Sequence, residues 1–195
     1  GFDFVFDVTF AADTTAALEA TELVERIRAG GPFPMFTSCC PGWVRLVENK
    51  FPHLRPLLSK CKSPMMMLGA MIREWMTNEK KLSRDQYFVV ALMPCVAKKE
   101  EIELPELKGP QGKDVDVVLT TREMSELIKQ MNLPWNALPG THKATYDAPF
   151  DVSSGGGALF GVAGGVTEAA LRVAFTLATK ENLAVDKSQS CLLYT

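Results

Sequence analysis

The seven residues from 87 to 93 constrain the fold more than any other segment of this sequence. They read Tyr-Phe-Val-Val-Ala-Leu-Met without interruption and run directly into Pro94 and Cys95. A strand that is apolar at nearly every position is typical of a parallel sheet covered by helices on both faces. Residues 115–119 predict a second strand of this kind, and residues 33–37 predict a third, shorter one.

Helices are predicted between these strands. Residues 14–28 carry apolar side chains at close to helical period, and Gly30-Gly31-Pro32 ends that helix. Pro41 and Pro64 each suit the first turn of a helix. Thr120 and Glu123 have the spacing of a capping box, and residues 166–180 predict the last helix. The alternation predicts an α/β fold with a mainly parallel β-sheet flanked by helices.

Composition excludes several classes of function. The net charge is −2 and no basic stripe is present, so nucleic acid is not an expected partner. No apolar run reaches the roughly 18 residues of a bilayer span, so no membrane insertion is expected. The five cysteines are an odd number with two adjacent, which favours reduced intracellular thiols over disulfides. The chain begins without Met or a signal peptide, and we expect a piece of a longer protein.

Two predicted turns carry cysteines directly after strands. Cys39 and Cys40 follow residues 33–37, and Cys95 follows residues 87–93. Sites in open α/β sheets gather beyond the carboxyl ends of strands, so we expect these thiols at one sheet edge. Cys40 also precedes a helix start, where a thiolate is favoured, and thiolates bind iron–sulfur clusters. The alternative, a buried small apolar side chain, remains open for these three and is preferred for Cys61 and Cys191.

Three further segments each allow two interpretations. Glu19 and Glu22 share one predicted helical face with Arg26, which suits either a proton relay or a solvated surface. The glycine-rich residues 154–165 lack the spacing of a dinucleotide fingerprint or a phosphate loop, which favours close backbone packing. The methionines at 65–67 favour a core position over a site.

Two segments resemble the signatures of the iron-only ([FeFe]) hydrogenases. Thr-Ser-Cys-Cys-Pro-Gly-Trp at 37–43 resembles the first, and Met-Pro-Cys-Val-Ala-Lys-Lys-Glu-Glu at 93–101 resembles the second. The likeness extends over roughly residues 1–180. It implies part of a two-lobed catalytic domain, with residues 1–185 forming a partial H-cluster domain and 186–195 a divergent or unrelated tail. The family's N-terminal start and third cysteine signature are not found in this sequence.

The resemblance implies an oxidoreductase with a complex iron cofactor. Family members reduce protons to hydrogen, or oxidise hydrogen, using ferredoxin or a similar electron carrier. Their H-cluster is a [4Fe–4S] cluster joined through a cysteine sulfur to a di-iron subcluster with CO and CN ligands. Maturation proteins that insert the di-iron unit are further implied partners. The implied location is the cytoplasm, or the hydrogenosome of an anaerobic eukaryote.

The resemblance also assigns roles to individual residues. Cys40 and Cys95 match cubane ligands, and Cys39 matches a non-ligand cysteine that passes protons to the di-iron unit. Lys98 matches a donor to a cyanide. The residues matching the proton path outward from Cys39 are Glu19, Ser59, Glu22 and Arg26. The residues matching the cofactor pocket are Ser63, Pro64, Met93, Lys98 and Phe160.

The sequence departs from the family at several points. Met65 replaces a glutamine common in the pocket, and Thr167 replaces a methionine. Because a cubane takes four ligands and only two match here, the isolated chain is expected to be inactive. The alternative function is that of a hydrogenase-like cytosolic iron–sulfur cluster assembly factor without hydrogenase activity. The first cysteine of the pair is usually replaced in that branch, whereas Cys39 is present here.

Overall fold

Helices are the main elements of the computed structural model, which describes residues 1–134 and 145–183. The helices are α1 (Val8–Ala29), α2 (Pro41–Lys50), α3 (Pro64–Asn78), α4 (Lys98–Glu101), α5 (Thr121–Gln130), α6 (Gly155–Leu159) and α7 (Gly165–Thr179). The strands are β1 (Val90–Leu92) and β2 (Val117–Leu119). Short 3-10 turns cover Pro52–Leu57, Arg84–Gln86 and Pro105–Leu107. The chain divides into a first unit, Gly1–Met67 with Asp147–Thr195, and a second unit, Leu68–Tyr146.

Helix α1 organises the first unit. It begins earlier than the sequence predicts because the Asp7 side chain accepts a hydrogen bond from the Thr9 N–H and caps the helix. Gly30 ends it in the left-handed region at φ 79°. Its buried face consists mostly of alanines, which let α6 and α7 pack closely against it. The buried alanines of α1 are Ala11, Ala12, Ala16 and Ala20.

The glycine-rich segment packs backbone against backbone, as predicted. A Cβ on Gly157 would overlap the carbonyl of Thr9 in α1, and a Cβ on Gly165 would overlap the carbonyl of Leu159. Asp13 fixes the start of α6, because its carboxylate accepts hydrogen bonds from both the N–H and the hydroxyl of Ser154. The predicted last helix is confirmed as α7.

The second unit contains a small parallel sheet. Strands β1 and β2 pair in parallel with Val90 opposite Val117, so the predicted strands exist but are shorter than expected. The sheet is flanked by helices, as predicted, although Leu92 at the end of β1 and Phe88 just before the strand are 46% and 68% exposed. With two strands in the described part of the chain, the sheet offers too little surface to be covered along the whole of residues 87–93.

The third predicted strand is wrong. Within residues 33–37 only Phe36 pairs, through a single parallel bridge to Leu58. Pro32 and Pro34 have no N–H to donate, so a longer ladder cannot form there. The shared sheet edge expected for the Cys39 turn is therefore not observed, because Phe36 pairs with Leu58 and not with a strand of the β1–β2 sheet.

A buried ion pair lies in the second unit. Arg73 Nη2 donates to Asp116 Oδ2 at 2.6 Å, and the Val89 N–H donates to the same oxygen at 2.6 Å. Arg84 pairs with the other oxygen. Burial raises the pKa of Asp116, but the Val89 N–H and the two guanidinium groups outweigh it and hold the pKa below its usual value. The carboxylate thus ties α3 to the start of the sheet.

Candidate functional site

Glu19 is a fully buried carboxyl group. It lies on the alanine face of α1 with 0% of its surface exposed, and neither carboxyl oxygen has a hydrogen-bond partner of normal geometry. Burial raises its pKa to about 7; the nearby Ser59 hydroxyl and Ser38 N–H lower it, and the charge of Glu22 raises it. A solvated helix face is therefore wrong for Glu19. A carboxyl that titrates near neutral pH is suited to accepting and releasing protons.

Glu22 is held in the charged form. Its Oε1 accepts hydrogen bonds from Arg26 Nε at 3.1 Å and Nη2 at 2.6 Å, and its Oε2 accepts from the Lys60 N–H at 3.0 Å. Burial raises the pKa of Glu22, but the bonds from Arg26, Lys60 and Ser59 outweigh it and lower the pKa. Arg26 also donates to the carbonyls of Leu57 and Leu58, which fixes the end of α1 against that segment.

Ser59 links the two carboxyl groups. Its hydroxyl donates to Glu22 Oε2 at 2.9 Å, accepts from the Cys61 N–H at 3.1 Å and lies near Glu19. The four residues of the predicted path other than Cys39 are thus brought together in one cluster of the first unit. The members of this cluster are Glu19, Glu22, Arg26 and Ser59. Their placement fits the predicted roles, which themselves stay a prediction.

Cys39 is the neighbour of Ser38, whose backbone N–H lies near Glu19. It is half-buried in the segment between Phe36 and α2. Its neighbour Ser38 directs the backbone N–H toward Glu19 and donates its hydroxyl to the Cys61 carbonyl at 3.1 Å. The short segment after Phe36 thus brings the backbone of Ser38 close to Glu19, and the approach of Cys39 to Glu19 stays a prediction.

Cys61 is a residue whose surroundings the sequence analysis missed. It is half-buried, not a buried apolar side chain, and its Sγ lies 3.9 Å from Glu22 Oε2. Burial raises the pKa of the thiol, the Ser59 hydroxyl lowers it, and the charges of Glu19 and Glu22 raise it. The position of Cys61 two residues after Ser59 was the only indication that the sequence offered. Cys191 lies outside the described residues.

Cys40 is exposed at the start of α2. It is the N-cap residue, Pro41 occupies the first helical position, and the Cys40 side chain makes no capping hydrogen bond. An exposed cysteine at the start of a helix is accessible to an iron–sulfur cluster, which cysteine sulfurs bind. Nearby in sequence, Ser63 is buried and Pro64 is the half-buried first residue of α3.

The second unit carries the other predicted ligand. Cys95 is exposed just beyond β1, and the Met93 N–H donates to the Leu119 carbonyl at 2.9 Å, which ties this turn to β2. Lys98 Nζ pairs with Glu101 Oε2 at 2.8 Å, with side chains only 12% and 4% exposed. Glu101 closes the second signature, and its pairing with Lys98 was not predictable from the sequence.

The remaining pocket residue, Phe160, ends α6 in the first unit and is half-buried. Across residues 1–134 and 145–183, no three His, Cys, Asp or Glu side chains gather as a metal site. The four described cysteines are thiols outside any disulfide, and exposed thiols fit cluster ligation. Cys40 lies in the first unit and Cys95 in the second, and the assignment of both as cubane ligands stays a prediction.

Comparison with known proteins decides the family. The family model described as "Iron only hydrogenase large subunit, C-terminal domain" matches residues 1–191. The chain belongs to the iron-only hydrogenase family. It is 44% identical to iron hydrogenase 1 of Clostridium pasteurianum over 183 residues, covering 94% of this chain and 31% of that protein. It is 42% identical to the periplasmic [Fe] hydrogenase large subunit of Nitratidesulfovibrio vulgaris, covering 92% of this chain and 42% of that one.

Solved structures of the family confirm the α/β fold. An apo structure of [FeFe]-hydrogenase HydA1 from Chlamydomonas reinhardtii matches with a TM-score of 0.80 and 39% identity, over 94% of this chain and 46% of that one. Other matches are variants of the same enzyme at two glutamates three residues apart. This chain thus spans less than half the length of these relatives. No helix in its described part is both long and apolar enough to cross a membrane.

Proposed function

We propose that this chain forms the proton-path side and part of the cluster-binding side of an iron hydrogenase. The reaction is the reversible reduction of protons to hydrogen, with electrons from ferredoxin or a similar carrier. The observation that carries the proposal is the Glu19–Ser59–Glu22–Arg26 cluster next to the Cys39-Cys40 turn. The spacing of Glu19 and Glu22 is also that of the two glutamates varied in the Chlamydomonas reinhardtii enzyme.

The path works by alternating carboxyl and hydroxyl groups. Arg26 keeps Glu22 ionised and ready to take a proton at Oε2. Once Glu22 holds that proton, the Ser59 hydroxyl receives it and passes its own hydrogen to the Glu19 carboxylate. Glu19, with a pKa of about 7, gains and loses a proton readily near neutral pH. It passes the proton to the Cys39 sulfur once the Cys39 thiol has given up its own. Because Glu19 is buried, it does not exchange its proton directly with bulk water.

Cys40 and Cys95 are the residues of this chain that would hold the cubane. When bound, the H-cluster would pass electrons from the carrier to the iron centre at which protons and hydrogen interconvert. Lys98 would donate to a cyanide of the di-iron unit, and its pairing with Glu101 fixes the direction of the ammonium group. Ser63, Pro64, Met93 and Phe160 would line the pocket. With two matching ligands, the isolated chain is expected to be inactive.

Partners and location follow from the same proposal. The electron partner is ferredoxin or a similar carrier, and maturation proteins insert the di-iron unit. One relative is named an NADP-reducing hydrogenase subunit, so carriers differ among related proteins. Another is named periplasmic, so a cytoplasmic or hydrogenosomal location stays a prediction for this chain.

A role in iron–sulfur cluster assembly is the competing proposal. The chain is 34% identical to the cytosolic Fe-S cluster assembly factor NAR1 of Sclerotinia sclerotiorum over 149 residues, covering 72% of this chain and 26% of that protein. Identity to the hydrogenases is higher and covers more of the chain. The thiol at Cys39 and the buried Glu19 beside Ser59 favour proton transfer, which an assembly factor does not need.

A chimeric hydrogenase would distinguish hydrogenase activity from a role in cluster assembly. Residues 1–183 of this chain would replace the matching segment of the Clostridium pasteurianum hydrogenase, which supplies the remaining ligands. We expect the matured chimera to evolve hydrogen from a reduced carrier and to carry cubane iron. Cys40→Ala and Cys95→Ala should each lose cubane iron, whereas Cys61→Ala should keep it. A cubane retained in both ligand variants would contradict the ligand assignment, and a loaded chimera without turnover would favour the assembly role.

A further inference from the structure

Thr15 and Glu19 form a buried polar pair that the predicted proton path does not explain. Both lie on the buried face of α1 with 0% of their surface exposed. The Thr15 hydroxyl and both Glu19 carboxyl oxygens have no hydrogen-bond partner of normal geometry. Three such oxygens on two side chains, four positions apart on one helix, stand out in a region otherwise filled by alanine.

The spacing places these two side chains within reach of each other. Residues four apart on an α-helix are neighbours on its surface, with Cβ atoms about 5–6 Å apart. Buried hydroxyl and carboxyl groups are nearly always hydrogen-bonded in folded proteins, directly or through an ordered water. A threonine hydroxyl can donate to a carboxylate, and it can also accept from a bridging water. The Thr15 hydroxyl and the Glu19 carboxyl group are therefore suited to form a hydrogen bond with each other.

We propose that Thr15 is a positioning residue of the proton path: its hydroxyl donates to the Glu19 carboxylate, directly or through one buried water. This inference rests on the proposed function for its role in catalysis, but the hydrogen bond itself is a property of this chain. The bond would hold the carboxyl group where the Ser59 hydroxyl can reach it. Glu19 would then have the Thr15 hydroxyl and the nearby Ser38 N–H as fixed donors, and the Ser59 hydroxyl as the partner with which it exchanges protons.

Besides the Ser38 N–H and the Ser59 hydroxyl, the groups around Glu19 are charged or titratable. Glu22 acts on Glu19 by charge, and the charge of Glu19 raises the pKa of the Cys61 thiol. Arg26 directs its guanidinium to Glu22 and to the carbonyls of Leu57 and Leu58. On α7, which packs against α1, Glu168 and Arg172 pair with each other. A neutral hydroxyl on the same helix stabilises the carboxylate without adding a competing titratable group.

Isosteric substitution tests the pair in this chain, without a cluster. Thr15→Val keeps the volume and removes the hydroxyl, and Thr15→Ser keeps the hydroxyl. The pKa of Glu19 would be followed by NMR of protein labelled with carbon-13 at the glutamate carboxyl carbons, with Glu19→Gln identifying the resonance. We expect Thr15→Val to raise the pKa of Glu19 by about one unit, a tenfold change in proton affinity, because the carboxylate loses a donor. Thr15→Ser should stay within a few tenths of a unit.

A pKa in Thr15→Val that stays within a few tenths of a unit of the parent value, or falls, would overturn the proposal. Thr15→Ala gives the same measurement with the same two outcomes if valine does not pack at this position. Helix content, measured by circular dichroism, shows which variant is folded. The outcome is separate from hydrogen turnover: a chimera without activity leaves the pKa result intact, and an unchanged pKa leaves the proposed function standing.

Discussion

The Ser59 hydroxyl donates a hydrogen bond to Glu22 Oε2 at 2.9 Å, across 37 positions of sequence. This bond joins α1 to the segment that follows the Pro52–Leu57 turn, and Arg26 strengthens the same junction through two backbone carbonyls. The junction brings a carboxylate, a hydroxyl and a buried carboxyl group into one cluster. The buried carboxyl group should make the stability of the chain depend on pH, which can be measured without the cofactor.

Glu19→Gln should remove a pH dependence of stability. The pKa of Glu19 is about 7 in the folded chain and near 4.5 when unfolded, so the folded state binds more protons between these values. Its contribution is fully present below about pH 4.5 and is lost as pH rises through 7. A shift of this size corresponds to about 3 kcal/mol. Urea unfolding at pH 5 and pH 8 should show this loss in the parent chain and not in the variant.

The exposed Glu25 of the same helix provides the matched control. Glu25→Gln removes a carboxyl group from α1 without changing the buried face, so the parent's loss of stability between pH 5 and pH 8 should persist. If Glu19→Gln retained the same loss as Glu25→Gln, the buried carboxyl would not be its source.

Gly157→Ala should destabilise the first unit. The added methyl group would overlap the Thr9 carbonyl, and overpacking of this kind costs about 1–3 kcal/mol. Gly155→Ala is the control two residues earlier in α6, where a Cβ meets no atom within 4 Å. That change should leave the free energy of unfolding equal or slightly higher, because alanine restricts the unfolded chain. Equal stability of the two variants would show that α6 does not pack against α1 as described.

Asp116→Asn should strongly destabilise the second unit. It leaves the guanidinium group of Arg73, which is 5% exposed, without its carboxylate, and breaking a buried pair costs about 3–5 kcal/mol. Glu126→Gln breaks the exposed pair with Lys129 and should cost under about 0.5 kcal/mol. Free energies of unfolding in urea would compare them. A loss for Asp116→Asn no larger than that for Glu126→Gln would mean that the buried pair contributes nothing.

Local patterns in the sequence predicted much of the fold. The Thr120–Glu123 capping box forms, Pro41 and Pro64 begin helices, and the glycines of residues 154–165 pack closely, because each depends on interactions within a few residues or on the size of one side chain. The lengths of the strands were overestimated. Apolar runs show burial preference, but strand length depends on the number of partners in the sheet, which one sequence does not reveal.

The candidate site was predictable only in part. Motif resemblance assigned Glu19, Ser59, Glu22 and Arg26 to one path, and helical spacing alone placed the three α1 residues on one face. Burial of Glu19 was not predictable, because it depends on the distant helices that cover α1. The surroundings of Cys61 and the Lys98–Glu101 pair likewise come from side-chain geometry and not from spacing.

Hydrogen turnover in the Cys39→Ala chimera, measured at equal cubane and di-iron content, tests the central claim most directly. Removing one acid–base group from a proton path costs about 10²–10⁴-fold in rate. We therefore predict that Cys39→Ala retains its iron and loses at least about 100-fold in turnover, and that Cys61→Ala stays close to the unsubstituted chimera. Turnover in Cys39→Ala equal to that of the unsubstituted chimera would contradict the account.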